Sequence, residues 1–173
     1  MYQWERRLRL YSGLVLAVYV ILHFANHALG IISFGAMEAM RSVLSPIYDN
    51  PLMVILLHGS LLTHFSLALM RLYRRRTFKM PRWEWLQIIL GLSIAPLIVA
   101  HVIGTRVSAE IGDFDPDYYY LASLIAAKPR LMVQMPFLMT IVWIYLAMGL
   151  HFWLRIQRWY RRTFPLWVFL AIA

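Results

Sequence analysis

Of the 173 residues 61% are hydrophobic and only 14% are charged, and the apolar residues fall in long blocks. Soluble domains carry roughly 45–50% apolar residues and need a polar surface, so an ordinary soluble domain is excluded. Cysteine is absent, which excludes disulfides, thiolate metal sites and cysteine nucleophiles. The net charge of +9 sits in short clusters at the ends of apolar runs. It therefore reads as topology signal and lipid-headgroup contact, with no nucleic-acid partner.

A membrane-spanning helix needs about 20 mostly apolar residues. The first such run covers about 10–34 and comes after Glu5-Arg6-Arg7-Leu8-Arg9. It is too long for a signal-peptide core and has no convincing cleavage site, so it reads as a retained helix. The second covers about 51–72 and ends in Arg74-Arg75-Arg76; the third covers 83–105; the fourth covers 131–154 and closes with Arg155, Arg158, Arg161 and Arg162. A fifth apolar run, 164–173, is too short to span and reads as the start of an incomplete helix. The expected fold is an all-α integral membrane protein. It is a four-helix transmembrane up-down bundle plus the start of a fifth helix, in one domain over 1–173.

Lysine and arginine set the expected orientation. Three precede the first helix, six run from Arg71 at the end of the second to Arg82 before the third, and four come after the fourth. Those 13 compare with four in the segments around 35–50 and 106–130. Glu38, Asp49, Glu110, Asp113, Asp115 and Asp117 lie in the poorer segments. The N-terminus is therefore expected in the cytoplasm. The second outer segment, polar at 112–117 and then Tyr118-Tyr119-Tyr120, reads as a cap at headgroup level.

All six histidines fall within the spans: His23, His27, His58, His64, His101 and His151. An ionisable side chain in hydrocarbon is expensive and usually marks a functional site. One alone is as well explained by an interhelical hydrogen bond; six over four helices are poorly explained that way. Depth, at 1.5 Å per residue, sorts them. His27 and His101, five residues before Arg106, lie in the outer half. His64, seven residues before Arg71, and His151, four before Arg155, lie in the inner half. Each pair comes from alternate helices, which face each other diagonally in an up-down bundle, so two imidazoles can clamp one iron.

Two b haems suit this arrangement. Zinc wants three or four ligands and no carboxylate lies at these depths; a proton relay would include Asp or Glu within the span. Copper is open through histidine and methionine, although the ten methionines are scattered and read as core filling. His23, one turn from His27, is the rival ligand on the first helix. Gly30, Gly104 and Gly149 lie two or three residues from the histidines, where they serve either a macrocycle or an ordinary helix contact. Arg106, Arg71 and Arg74 are candidates for haem propionates, though most arginines at helix ends are anchors. A quinone site is expected from His58 with the outer tyrosines or from Trp83, Trp85 and the inner arginines, although aromatic residues at both membrane edges are common in any membrane protein.

The segments His23-Phe24-Ala25-Asn26-His27-Ala28-Leu29-Gly30, His64-Phe65-Ser66-Leu67-Ala68-Leu69, Ala100-His101-Val102-Ile103-Gly104-Thr105-Arg106 and Leu150-His151-Phe152-Trp153-Leu154-Arg155 carry a resemblance. Together they resemble the membrane anchor of one group of bacterial class III adenylyl cyclases, which is similar to the cytochrome b subunits of succinate dehydrogenases and fumarate reductases. The resemblance implies six helices, two b haems, a place in the bacterial inner membrane and a cytoplasmic cyclase domain downstream, with a homodimer implied by that domain. This segment has four helices and part of a fifth, and no nucleotide site, so catalysis is not expected within it. The implied role is a diheme redox-sensing input to cAMP synthesis that answers the quinone pool. The alternative is a cytochrome b anchor of a succinate dehydrogenase or fumarate reductase-type complex, which passes electrons between a soluble partner and a quinone. A cyclase domain downstream of residue 173 would favour the first, and a histidine there would change the inner pair.

Overall fold

The computed structural model describes residues 2–77 and 79–163; the fifth run over 164–173 lies outside them. Among the described residues the chain is helical with no strand. Four helical stretches among these residues are long and apolar enough to cross a membrane: Gln3–Ile31, Pro51–Tyr73, Arg82–Gly112 and Leu131–Leu154. The shortest, 23 residues, is about 35 Å long and exceeds a hydrocarbon core of about 30 Å. Their apolar side chains stay outside: Val18 is 61% exposed, Leu62 67% and Val133 74%. That is the inverse of a soluble core, and hydrocarbon is the solvent such a surface suits.

The first helix, α1 (Gln3–Ala28), starts seven residues before the apolar run expected from 10. Its first turn takes in the charged cluster because Glu5 accepts the Tyr2 backbone N–H, 3.3 Å away, and so satisfies an end donor. A short 3-10 turn comes next at Leu29–Ile31. Then comes a helix that apolar length alone does not announce, α2 (Phe34–Tyr48), started by Ser33, whose hydroxyl accepts from the Ala36 N–H. Asn50 caps α3 (Pro51–Tyr73), which has Pro51 in its first turn.

The third span begins as α4 (Arg82–Val102), widens into a π turn at Ile103–Val107 and ends as α5 (Ser108–Gly112). It thus runs past the end at 105 that hydropathy suggested. Asp113, in the left-handed region at φ 50°, stops it. The expected cap is in part helical: Asp117 accepts from the Tyr120 N–H and opens α6 (Tyr118–Ala127). The fourth span is α7 (Leu131–Leu154), and residues 158–163 are again helical.

The chain divides into two compact units. The first comprises residues 1–80 and 105–129, the second 81–104 and 130–173. In the first, α1 packs along α3, and α2 packs on α1, α3 and α6. Ser12, Ala17 and Ser60 are buried there. In the second, α4 packs on α7 around Leu90, Leu138 and Ile141, with Ile94, Leu97, Val142, Tyr145 and Met148 against them.

Candidate functional site

His27 and His64 belong to the first unit, His101 and His151 to the second. His64 is held against α1. A Cβ on Gly13 would come within 2.9 Å of His64 Cε1, so only glycine admits the ring there. Its Nδ1 lies 3.1 Å from the Arg9 carbonyl oxygen, and Ser12 Oγ lies 3.5 Å from the same nitrogen. A carbonyl only accepts, so Nδ1 carries the proton and the ring's lone pair is on Nε2. Histidines that bind metal commonly spend their second nitrogen in this way.

At the same end, Glu5 is 4% exposed and accepts from Arg74 Nη1 at 2.7 Å. Arg74, a propionate candidate, thus has a carboxylate of this chain as its partner. Arg71 lines a cavity of about 170 Å³ with Glu5, Arg9, Leu67, Met70 and Arg74.

Towards the far end of α1 the rival ligands meet: the two Nε2 atoms of His27 and His23 are 3.2 Å apart, one donating and the other accepting. Iron ligation through Nε2 of His27 therefore requires that this hydrogen bond open. Tyr19 stacks on His23 at 5.5 Å, and Tyr48 meets Tyr19 edge-on at 5.0 Å. Tyr118 meets His27 edge-on at 5.5 Å and accepts a 2.8 Å hydrogen bond from Asn26 Nδ2. Burial pushes the Tyr118 phenol above its ordinary pKa, so it stays a neutral partner. The Asn26 Oδ1 and the Tyr48 hydroxyl are buried with no hydrogen-bond partner among the described residues. Arg106 pairs with Asp49 and, at 3.0 Å, with Glu110, so it too has carboxylates of this chain.

His58 is exposed and its Nδ1 donates to the Val54 carbonyl one turn back, 2.8 Å away. None of the outer tyrosines reaches it among the described residues.

In the second unit His101 is in the last turn of α4, just before the π turn, a type of widening frequent at functional sites. A Cβ on Gly104 would meet nothing within 4 Å, so no close helix contact requires glycine there. Gly30 differs: its Cβ would run into Met37 Sδ at 2.6 Å, so Gly30 admits α2. His151 Nδ1 is 3.1 Å from the hydroxyl of buried Tyr160, which can donate or accept, so either tautomer fits. Trp83 packs on Phe152 at 4.0 Å and stands among the aromatic residues of this seam.

Among the described residues no three His, Asp or Glu side chains gather as a metal group. Bis-imidazole ligation asks for two. The partners that sequence reasoning missed are Glu5, Asn26 and Tyr160. Asn26 carried a usable signal, being a polar amide in the middle of an apolar run. Glu5 sat inside a charged flank, and Tyr160 beyond the last span. No family model, curated protein or solved structure matches the chain.

Proposed function

We propose that this chain is a membrane-embedded diheme cytochrome b. It serves as the redox-sensing input of a bacterial inner-membrane adenylate cyclase whose catalytic domain lies elsewhere in the protein, with its N-terminus in the cytoplasm. His27 with His101, and His64 with His151, are the axial ligands, paired by depth along their spans. The observation that supports this reading is the His64 ring, whose proton is fixed on Nδ1 by the Arg9 carbonyl, which puts the lone pair on Nε2 as in many metal-binding histidines. The orphaned polar atoms of Asn26 and Tyr48 also fit an added group. The engaged His27 Nε2 and the filled space at Gly30 weigh against it at the other end of α1.

Bound haem supplies one-electron chemistry at these histidines. The chain's own part is to orient the rings and keep water from them. Regulation further requires two helix arrangements that differ in their affinity for the electron, supplied by quinol or another donor. The contact of Gly13 with His64 is suited to that role, because any change in the spacing of α1 and α3 must move the ring. A homodimer through the catalytic domains would carry the change onward.

A dithionite-reduced minus oxidised visible spectrum, with haem quantified per chain, tests the proposal on wild type and on H27A, H64A, H101A and H151A. Two low-spin b haems are expected, and each substitution removes about one. A colourless protein, or haem retained in all four variants, makes the histidines structural.

A further inference from the structure

We infer that the cavity between the charged ends of α1 and α3 is a binding site for a phosphate-ester anion, the headgroup of an acidic phospholipid. Three basic residues, Arg9, Arg71 and Arg74, line it with one acidic residue, Glu5, in a wall whose surface is mostly apolar. Glu5 is already committed to Arg74 at 2.7 Å and to the Tyr2 N–H. The lining therefore holds more basic residues than acidic ones. Arg71 is exposed and pairs with no carboxylate among the described residues, so its charge is not neutralised by an acid of the lining.

Size and wall chemistry narrow the ligand. At about 170 Å³ the cavity is smaller than the roughly 300–1,000 Å³ of sites that enclose a whole organic cofactor. A headgroup-sized anion fits. Arginine's fork of donors matches phosphate oxygens, and clusters of basic residues between helices at the cytoplasmic edge attract anionic lipid. The remaining walls, Leu67 and Met70, are apolar, as an acyl chain leaving the headgroup requires. Free phosphate satisfies the arginines but makes no use of these two side chains.

The site does not depend on haem. Native mass spectrometry of the full chain in detergent, titrated with phosphatidylglycerol or phosphatidylcholine, reads it directly. Wild type should hold phosphatidylglycerol in preference to phosphatidylcholine. Arg71→Gln should weaken that binding about fivefold, and Arg71→Lys should recover most of it. Arg158→Gln, which removes an exposed charge far along the chain, should leave it unchanged. If millimolar inorganic phosphate displaces the lipid with the same dependence on Arg71, the phosphate site stands and its source is soluble. Equal phosphatidylglycerol binding by wild type and R71Q overturns the inference, as does an equal loss in R158Q, which marks diffuse charge. A visible spectrum that moves in R71Q with lipid binding intact also overturns it, and returns Arg71 to a propionate.

Discussion

Where α1 meets α3 the buried residues are Ser12, Ala17 and Ser60, and a histidine ring is pressed against Gly13; where α4 meets α7 they are Leu90, Leu138 and Ile141. Both seams join two long apolar helices. In hydrocarbon, association gains nothing from hiding leucine, so close contact and interhelical hydrogen bonds must hold the pair. The first unit takes that route, through His64 on the Arg9 carbonyl and Asn26 on Tyr118. In the second the buried residues are apolar and Gly91 leaves room for Tyr145. The lesson is that polar and small residues are structural in the first unit as well as candidates for function, and a substitution there changes both.

The largest expected effect is at the charged end. Arg74→Ala leaves the Glu5 carboxylate buried without its cation. Removing one partner of a fully buried pair costs roughly 3–5 kcal/mol. The Arg74 side chain is half exposed, so about 2 kcal/mol is expected, read as lost unfolding free energy in detergent. The counterpart in the second unit is Arg155, whose guanidinium lies 4.9 Å above the Phe152 ring; Arg155→Ala should cost no more than about 1 kcal/mol. Equal losses in the two variants would break the contrast between the units.

Next come the two glycines. Gly13→Ala puts a methyl 2.9 Å from His64 Cε1 and 3.1 Å from Nδ1, and the ring cannot retreat without stretching its bond to Arg9. Overpacking of this kind costs about 1–3 kcal/mol. Gly91→Ala meets the edge of Tyr145 at 3.2 Å, where a shift of a few tenths of an ångström relieves it, so under about 1 kcal/mol is expected. Melting curves of the two variants side by side check the order. If G91A is the worse, steric fit rather than the polar seam limits stability.

The four spans were legible because hydrophobic length is a strong signal, and the starts of three of them fall at Pro51, Arg82 and Leu131, within a residue of where the apolar runs begin. The start of α1 was not: Arg6, Arg7 and Arg9 argue against hydrocarbon, while the turn that contains them forms through Glu5, whose partner lies at position 74. Nor was α2, since its apolar residues are too few to span and its start depends on the Ser33 hydroxyl. The histidines themselves were visible as polar residues at depth. The nitrogen of His23 lies one helical turn from His27 and was within reach of spacing, but the Arg9 carbonyl and the hydroxyl of Tyr160 come from helix packing and folding-back that no spacing encodes. The arginines singled out for a ligand do sit at charged helix ends, but Arg74 and Arg106 turn to Glu5 and to Asp49 with Glu110.

A smaller effect probes the other end of α1. Tyr118→Phe removes the acceptor of Asn26 Nδ2 in a side chain that is 4% exposed. Interhelical hydrogen bonds in membrane proteins average about 0.6 kcal/mol, with about 1.7 at most, and about 1 kcal/mol is expected here. A double-mutant cycle with Asn26→Ala isolates the coupling. A coupling near zero would mean that Tyr118 contributes only its ring edge to His27, and that the first unit is less polar in its energetics than in its geometry.

The smallest expected effect is a pH dependence confined to the cap. Arg41 donates to Glu38 at 2.8 Å and pairs with Asp115 at 2.7 Å, tying α2 to the loop before α6. The hydrogen bond from Arg41 holds the Glu38 carboxyl below its ordinary value, against burial, which raises it. A carboxylate with a lowered folded-state pKa stabilises the fold above its unfolded value, about 4.3, and that contribution fades as pH falls from there through the folded value. Partly exposed pairs contribute roughly 0.2–1 kcal/mol, so the cap should loosen slightly between about pH 5 and pH 3. Hydrogen exchange at the Tyr118 amide, which donates to Glu38 at 3.3 Å, should rise over that range beyond its intrinsic pH dependence. In Arg41→Gln the excess should already be present at neutral pH and change little on acidification. An excess that persists unchanged in R41Q would assign the acid response to another carboxylate of the cap and detach it from the pair that joins α2 to the segment before α6.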